Sequence, residues 1–296
     1  MGGESDAGDG YFPHGRSLLR HVHEQRAVGL LYGQRALAIG ALMPLNFIGT
    51  RRHSRSLDRP FERLTRTAKA FETIFFGSRS DADRVLGAVH RMHQHVRGEL
   101  PDDAGRFPAG TPYSAFDPSL MLWTVAVMAD SAQVFYELLV RRLSNDERDR
   151  LWDDYVRFGE LFGMPRSAAP ATHAEFRAWF SERLASDDVH LTPEARRVGR
   201  AIMFEIPVPP RSRPAMRVHN LVMLGSLPER VRAVYGLPWT RAHAAAFQAF
   251  VRSARLSRPL VPGPLRSGRN TWAFEDVARA ERRLVALGRP VPGAMG

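Results

Sequence analysis

The segment from Leu120 to Leu143 constrains the fold more tightly than any other part of the chain. It opens at Asp117-Pro118, a side chain suited to accept from free helical N–H groups, followed by the residue best tolerated at the first helical position. It then runs on with apolar residues on several sides. A helix that is apolar nearly all round cannot lie on a surface and must be wrapped by other elements.

The other segments are patterned to do the wrapping. Asp58-Arg59-Pro60 opens a helix with Phe61, Leu64, Ala68, Phe71, Ile74 and Phe75 on one face, and Gly77 closes it. Ser80 is expected to cap a second helix, with Val85, Val89, Met92 and Val96 inward and Gly98 just past its end. Capping boxes at Ser144-x-x-Glu147 and Thr172-x-x-Glu175 start helices that end near Gly163 and Ala185. Thr192-Pro193 starts another, the stretch 207–214 interrupts, and residues 216–224, 228–235 and 240–254 read as three more. A proline-rich connector, 257–269, precedes a last helix over 271–287. The apolar stretch 36–49 reads as a buried helix broken at Pro44, too short to span a bilayer. No hairpin dipeptide lies between alternating runs. These patterns predict an all-α fold: one helical domain over residues 1–296, of roughly ten helices, with a flexible N-terminus over 1–13.

Two features of composition narrow the chemistry. The chain has no cysteine, which excludes disulfide frameworks, Cys-ligated zinc, iron–sulfur clusters and thiolate-bound haem. A metal here must be held by His, carboxylate or Tyr. The net charge of +11 is almost entirely arginine, with Lys69 the single lysine. The excess lies in residues 51–100 and 201–296, without the interleaved Lys and exposed aromatics of a nucleic-acid stripe, so it reads as a solvated basic surface and no nucleic-acid partner is expected. The acidic, Gly-rich start, Met1–Gly10, lacks a signal-peptide pattern, and a cytoplasmic location is expected.

Three constellations stand out as chemistry-bearing. His90-x-x-His93-x-His95 places His90 and His93 on one helical face, with His93 sharing the side of Val89 and Val96. His93 is therefore the preferred metal-ligand candidate, against the plainer role of a hydrogen-bonded histidine. Arg63, Arg66 and Thr67 lie close enough on one helix surface to converge on an anionic group, or else form a solvated edge. Asp130-Ser131 puts a carboxylate inside the apolar central helix, where it needs a partner such as Arg35 or one of the pocket arginines, most simply in a structural ion pair. Gly-rich phosphate loops, a Gly-x-Ser-x-Gly elbow and a Rossmann fingerprint are all absent from the sequence.

Taken in order, these pieces resemble the catalytic domain of the MpaB/rubber-oxygenase (latex-clearing-protein) family, helical proteins that bind a b-type haem. The resemblance rests on Arg35-Ala36-Leu37, Pro44, Gly49, His53-Ser54, Asp58 through Thr67, Phe76-Gly77, His93-x-x-Val96-Arg97-Gly98 and Tyr113-x-Ala115-x-Asp117-Pro118. It continues through Leu122-Trp123, Asp130-Ser131, Leu143-Ser144 and Leu227-Pro228 to Gly236-Leu237-Pro238-Trp239, covering residues 28–255. It implies a globin-like or orthogonal bundle around a haem b pocket, with His93 as the iron ligand. Arg63, Arg66, Thr67 and Arg97 would be cofactor-binding, Arg66 and Thr67 would shape the catalytic pocket, and a small to medium apolar molecule would be oxidised with O2 or peroxide. The alternative on the same scaffold is a non-enzymatic haem sensor, carrier or interaction module. The chain departs from the family's pattern where rubber oxygenases carry a lysine in place of Arg66 and a histidine in place of Met43 and of Val125, and it has no carboxylate over 36–57.

Overall fold

A computed structural model describes residues 10–54, 57–209 and 212–295. Among them the chain forms fourteen α-helices and one short two-stranded ladder, so the fold is all-α, with more helices than the ten expected. The N-terminal part contains α1 (Leu18–His23), α2 (Arg26–Gly40), α3 (Pro44–His53), α4 (Pro60–Phe76) and α5 (Arg79–His93). The ladder pairs β1 (Arg97–Glu99) with β2 (Pro112–Ser114), antiparallel, Gly98 opposite Tyr113. Then come α6 (Pro118–Leu139), α7 (Asn145–Leu161), α8 (His173–Ala185), α9 (Pro193–Phe204), α10 (Arg213–Ser226), α11 (Glu229–Tyr235), α12 (Arg241–Ser257), α13 (Gly263–Arg266) and α14 (Thr271–Ala286).

The central helix starts as its sequence dictates. The Asp117 carboxylate accepts from the N–H groups of Ser119 and Leu120, with Pro118 in the first turn. From Leu120 to Ala132 every residue is buried except Thr124. The helix packs most extensively on α2, then on α7.

Between α2 and α6 lies the main polar contact of the core. Arg35 and Asp130, 1% and 2% exposed, pair at 2.6 Å, and Arg35 also donates to Ser131 Oγ at 2.9 Å and to the Ser226 carbonyl at 3.0 Å. The other carboxylate oxygen of Asp130 accepts from Arg177 on α8. This supplies the partner that the sequence required and joins four helices at one point.

The stretch 36–49 turns sharply, as its proline implies. The axes of α2 and α3 meet at 108°, with Pro44 in the first turn of α3. The carbonyls freed at the end of α2 are satisfied from outside: Trp123 Nε1 donates to Gly40 at 3.1 Å and Tyr235 Oη to Ala38 at 2.8 Å. No single helix among the described residues is long and apolar enough to cross a membrane.

Helix α4 is capped from a distance. Its first residues leave N–H groups without helical partners, and Glu281, buried on α14, accepts from Phe61 N at 3.0 Å and Glu62 N at 2.6 Å. Burial raises the Glu281 carboxyl above its ordinary range, and these two hydrogen bonds oppose that.

Several boundaries differ from expectation. The cap of α5 is Ser78, whose hydroxyl accepts from Asp81 N, because the chain has already turned there after Gly77; Ser80 lies inside the first turn. The helix stops at His93, and Gly98 belongs to β1 because the chain pairs with 112–114 instead of continuing. The connector 257–269 holds a 3-10 turn and α13, and α1 with the first half of α2 carries no periodicity strong enough to read. Of the expected flexible residues 1–13, positions 1–9 lie outside the described residues; Phe12 is buried edge-on against Phe75.

The Arg35–Asp130 pair gives a direct stability test. Asp130→Ala leaves a buried guanidinium without its counter-charge and is expected to cost about 3–5 kcal/mol. The double variant Arg35→Met/Asp130→Leu should recover most of that loss, because a packed apolar pair removes both desolvation penalties. Urea unfolding midpoints of the two proteins decide it.

Candidate cofactor site

His93 ends α5, and its ring is packed between aromatic side chains. Phe116, in the loop before α6, stands edge-on at 6.1 Å between centroids, and Phe162, just past α7, lies at 6.4 Å. The Nδ1 atom is buried and has no hydrogen-bond partner among the described residues. Burial, reinforced by the neighbouring His90, pushes the His93 imidazolium below its ordinary pKa. The ring is therefore neutral at neutral pH and carries an available lone pair, the state a metal ligand requires.

The other two histidines of the cluster are placed differently. His90 is exposed and stacks at a tilt on Phe116, 4.9 Å away. His95 is exposed and its Nδ1 lies 2.9 Å from the Arg91 carbonyl, so it closes the turn after α5. Among the described residues, no group of three or more His, Asp or Glu is disposed to hold a metal ion.

On α4 the structure brings Arg63, Arg66 and Thr67 onto one surface. Thr67 Oγ1 donates to the Arg63 carbonyl at 3.2 Å, and Arg63 Nη1 reaches Ser54 Oγ, just beyond α3, at 3.4 Å. Arg63 is largely withdrawn from water, and burial followed by the repulsion of Arg66 lowers its pKa. Two guanidinium groups held this near each other favour an anion between them. Arg66 and Thr67 themselves are exposed. Phe71, two turns further along α4, touches Phe162 at 6.3 Å, so the Phe162 ring links the arginine-bearing helix to His93. Arg97 stands apart, exposed on β1.

The wall nearest this region is built by α3 and the ladder. Gly49 lies under Tyr113 and Val96, where a Cβ would approach the Tyr113 ring at 3.4 Å, and His53 Nε2 is 3.2 Å from Tyr113 Oη. One turn earlier, Asn46 Nδ2 donates to the Leu120 carbonyl at 3.2 Å and Thr124 Oγ1 at 3.0 Å, leaving its buried Oδ1 without a partner. Thr124 is the one residue between Leu120 and Ala132 on α6 that reaches solvent. Sequence reasoning singled out none of Phe116, Phe162, Asn46 and Ser54 as site residues. Phe116 falls on an unspecified position of the 113–118 motif, and Phe162 follows a helix end; neither lies on a periodic face.

A model of the "ER-bound oxygenase mpaB/B'/Rubber oxygenase, catalytic domain" matches residues 20–256. The chain belongs to this family of oxygenase catalytic domains. Among curated proteins, uncharacterized proteins of Mycobacterium bovis and Mycobacterium tuberculosis are each 25% identical over 203 residues, 69% of this chain and 76% of the relative. No solved structure matches the chain significantly.

The core beside the site contains a second neutral imidazole, which sets a pH dependence. His23 is buried, stacks on Phe75 at 4.5 Å and has Nε2 2.7 Å from Tyr155 Oη; burial pushes its pKa down to about 3. A histidine with a depressed folded pKa is protonated first in the unfolded chain. Stability is therefore lost as pH falls from about 6.5 toward about 3, at up to about 1.4 kcal/mol per pH unit for this one proton. His23→Gln, which offers Tyr155 a partner without titrating, should flatten the slope of unfolding free energy over that window; an unchanged slope would refute the assignment.

Proposed function

We propose that the chain is a haem b-dependent oxygenase or peroxygenase that oxidises a small to medium apolar molecule with O2 or peroxide. The observation that carries this reading is His93: a neutral, aromatic-enclosed imidazole with an unpartnered buried nitrogen, inside the region shared with an oxygenase catalytic domain. The donor set suits a porphyrin better than a bare ion, since His93 offers a single imidazole and Arg63 and Arg66 on α4 offer cations that would match the group's two carboxylates.

His93 would hold the iron, and Arg63, steadied by Ser54, would pair a propionate with Arg66 beside it. When bound, haem supplies the activation of O2 or peroxide and the oxidation of substrate. Phe116 and Phe162 pack against the imidazole, Phe71 backs Phe162, and together they present apolar surface. Arg66, a guanidinium that stays protonated, would donate hydrogen bonds to a bound anion or oxidant and would not act as a metal ligand. Thr67, tied to the Arg63 carbonyl, fixes the helix surface on which both arginines stand. Arg97 would join the anion-binding set only by swinging its exposed side chain inward from β1.

The absorption spectrum of the purified protein, titrated with haem, tests this. The expected result is stoichiometric binding with a Soret band, and a His93→Ala variant whose haem occupancy or band position changes. A protein with no Soret absorbance after reconstitution would dispose of the haem reading. Full occupancy and an unaltered spectrum in His93→Ala would remove His93 as the ligand and leave the cofactor.

A further inference from the structure

The chain leaves the body after α14 and then comes back to it. Residues 286–290 are exposed, Leu287 at 70%, and Gly288, at φ 62°, turns the backbone off the helix. Residues 289–295 belong to no helix or strand, and Pro290 and Pro292 have no N–H with which to join one. The tip of this strap is buried all the same. Met295 is 4% exposed, its N–H donates to the Leu57 carbonyl at 2.8 Å, and Arg197 Nη1 donates to the Ala294 carbonyl at 2.7 Å. Gly293, at φ 74°, passes so near α9 that a Cβ there would stand 3.1 Å from the Ala201 Cβ.

Met295 enters an apolar cluster distinct from the main core. With Val198 and Ile202 of α9 it forms a buried group of its own, against which Phe47 of α3, Leu57 between α3 and α4, and Leu64 of α4 are packed. Phe47 packs on the main core as well, so its ring joins the two. The cluster adjoins the candidate cofactor site: Leu64 follows Arg63 along α4, and Ser54, which Arg63 reaches, stands three residues before Leu57. The residues that receive Met295 all lie within the span 20–256 matched by the oxygenase domain, and the strap lies beyond it. The pocket is thus a property of the matched domain, whereas its present occupant is not.

We infer that residues 289–295 are a displaceable strap, and that Met295 holds a pocket in which the domain receives an aliphatic chain of its substrate. Resting on the oxygenase reading proposed above, this gives the substrate an acyclic aliphatic portion. The Val, Ile, Leu and Phe side chains of the pocket offer no hydrogen bond, so a polar or charged group would lose its hydration there with nothing to replace it. Its present filling is a flexible, unbranched thioether, and a substrate chain matches that in width and apolarity. Opening disturbs little else. The hinge at 286–290 is exposed, no strand or helix holds the strap, and the main core is a separate cluster, which together describe a segment that opens locally. Strap and substrate chain therefore compete, and the pocket stays closed until a chain that reaches the α3–α4 junction displaces Met295.

The absence of cysteine makes the test direct, because Met295→Cys carries the sole thiol of the full chain. Its modification by dithionitrobenzoate is expected to run at least about tenfold faster than global unfolding, as local opening requires, and to accelerate on titration with n-octanol. By calorimetry, n-octanol should bind Met295→Gly at least about tenfold more tightly than the unaltered chain, since no side chain then competes for the pocket. Met295→Leu, which refills it, should bind as the unaltered chain does. Modification only at the rate of global unfolding, or a rate that n-octanol fails to raise, overturns the inference. Equal affinities in the unaltered chain and Met295→Gly do the same, as does loss of cooperative melting in Met295→Gly, which would make the strap part of the core. None of these measurements needs haem, so their failure leaves the cofactor reading standing, and a missing Soret band leaves them readable.

Discussion

The buried contact of Arg35 with Asp130 is the interaction on which the remaining architecture depends. Helix α6 is apolar on so many sides that hydrophobic burial alone would tolerate it at several rotations and heights against α2. A carboxylate and a guanidinium that must meet at 2.6 Å in the absence of water permit only one. The Ser226 carbonyl and Arg177 extend the same constraint to α10 and α8, so the register of four helices is set by one polar cluster. Such a pair contributes less to net stability than to uniqueness of packing, because its desolvation cancels much of its attraction.

With α2 and α6 fixed, the position of His93 follows from helix ends more than from helix faces. The imidazole stands at the last residue of α5, against Phe116 just before α6 and Phe162 just after α7. Three termini meet at one point there, and the His93 Nδ1 is left buried among them without a partner. The elbow at Pro44 has a similar effect on the other wall. It turns α3 away from the α2 axis, so that Gly49 and Asn46 face the ladder and α6.

The sequence conveyed the helices that have a mechanism for starting. Proline or capping residues opened α4, α6, α7, α8 and α9 where expected, since those signals act within four residues. The need of Asp130 for a cation was also legible, and Arg35 was one of the partners named for it. Illegible were elements defined by contacts across the chain: the 97–99 with 112–114 ladder, the capping of α4 by Glu281 from more than two hundred residues away, and the beginning of α2. Of the candidate site, the α4 triplet and His93 were visible because spacing within one helix is a local property. Phe116 and Phe162 were not, because what brings them to His93 is the path of two loops.

The scarcity of lysine has a practical counterpart in this architecture. Lys69 Nζ, the sole side-chain amine, lies 2.6 Å from Glu275 Oε1 and ties the middle of α4 to α14, the two helices that Glu281 already joins at one end. An amine-reactive fluorophore or crosslinker therefore has one internal address. That address lies on the seam closed by the C-terminal helix, so a single dye would report whether α14 stays docked while the rest of the chain is heated, bound or bent.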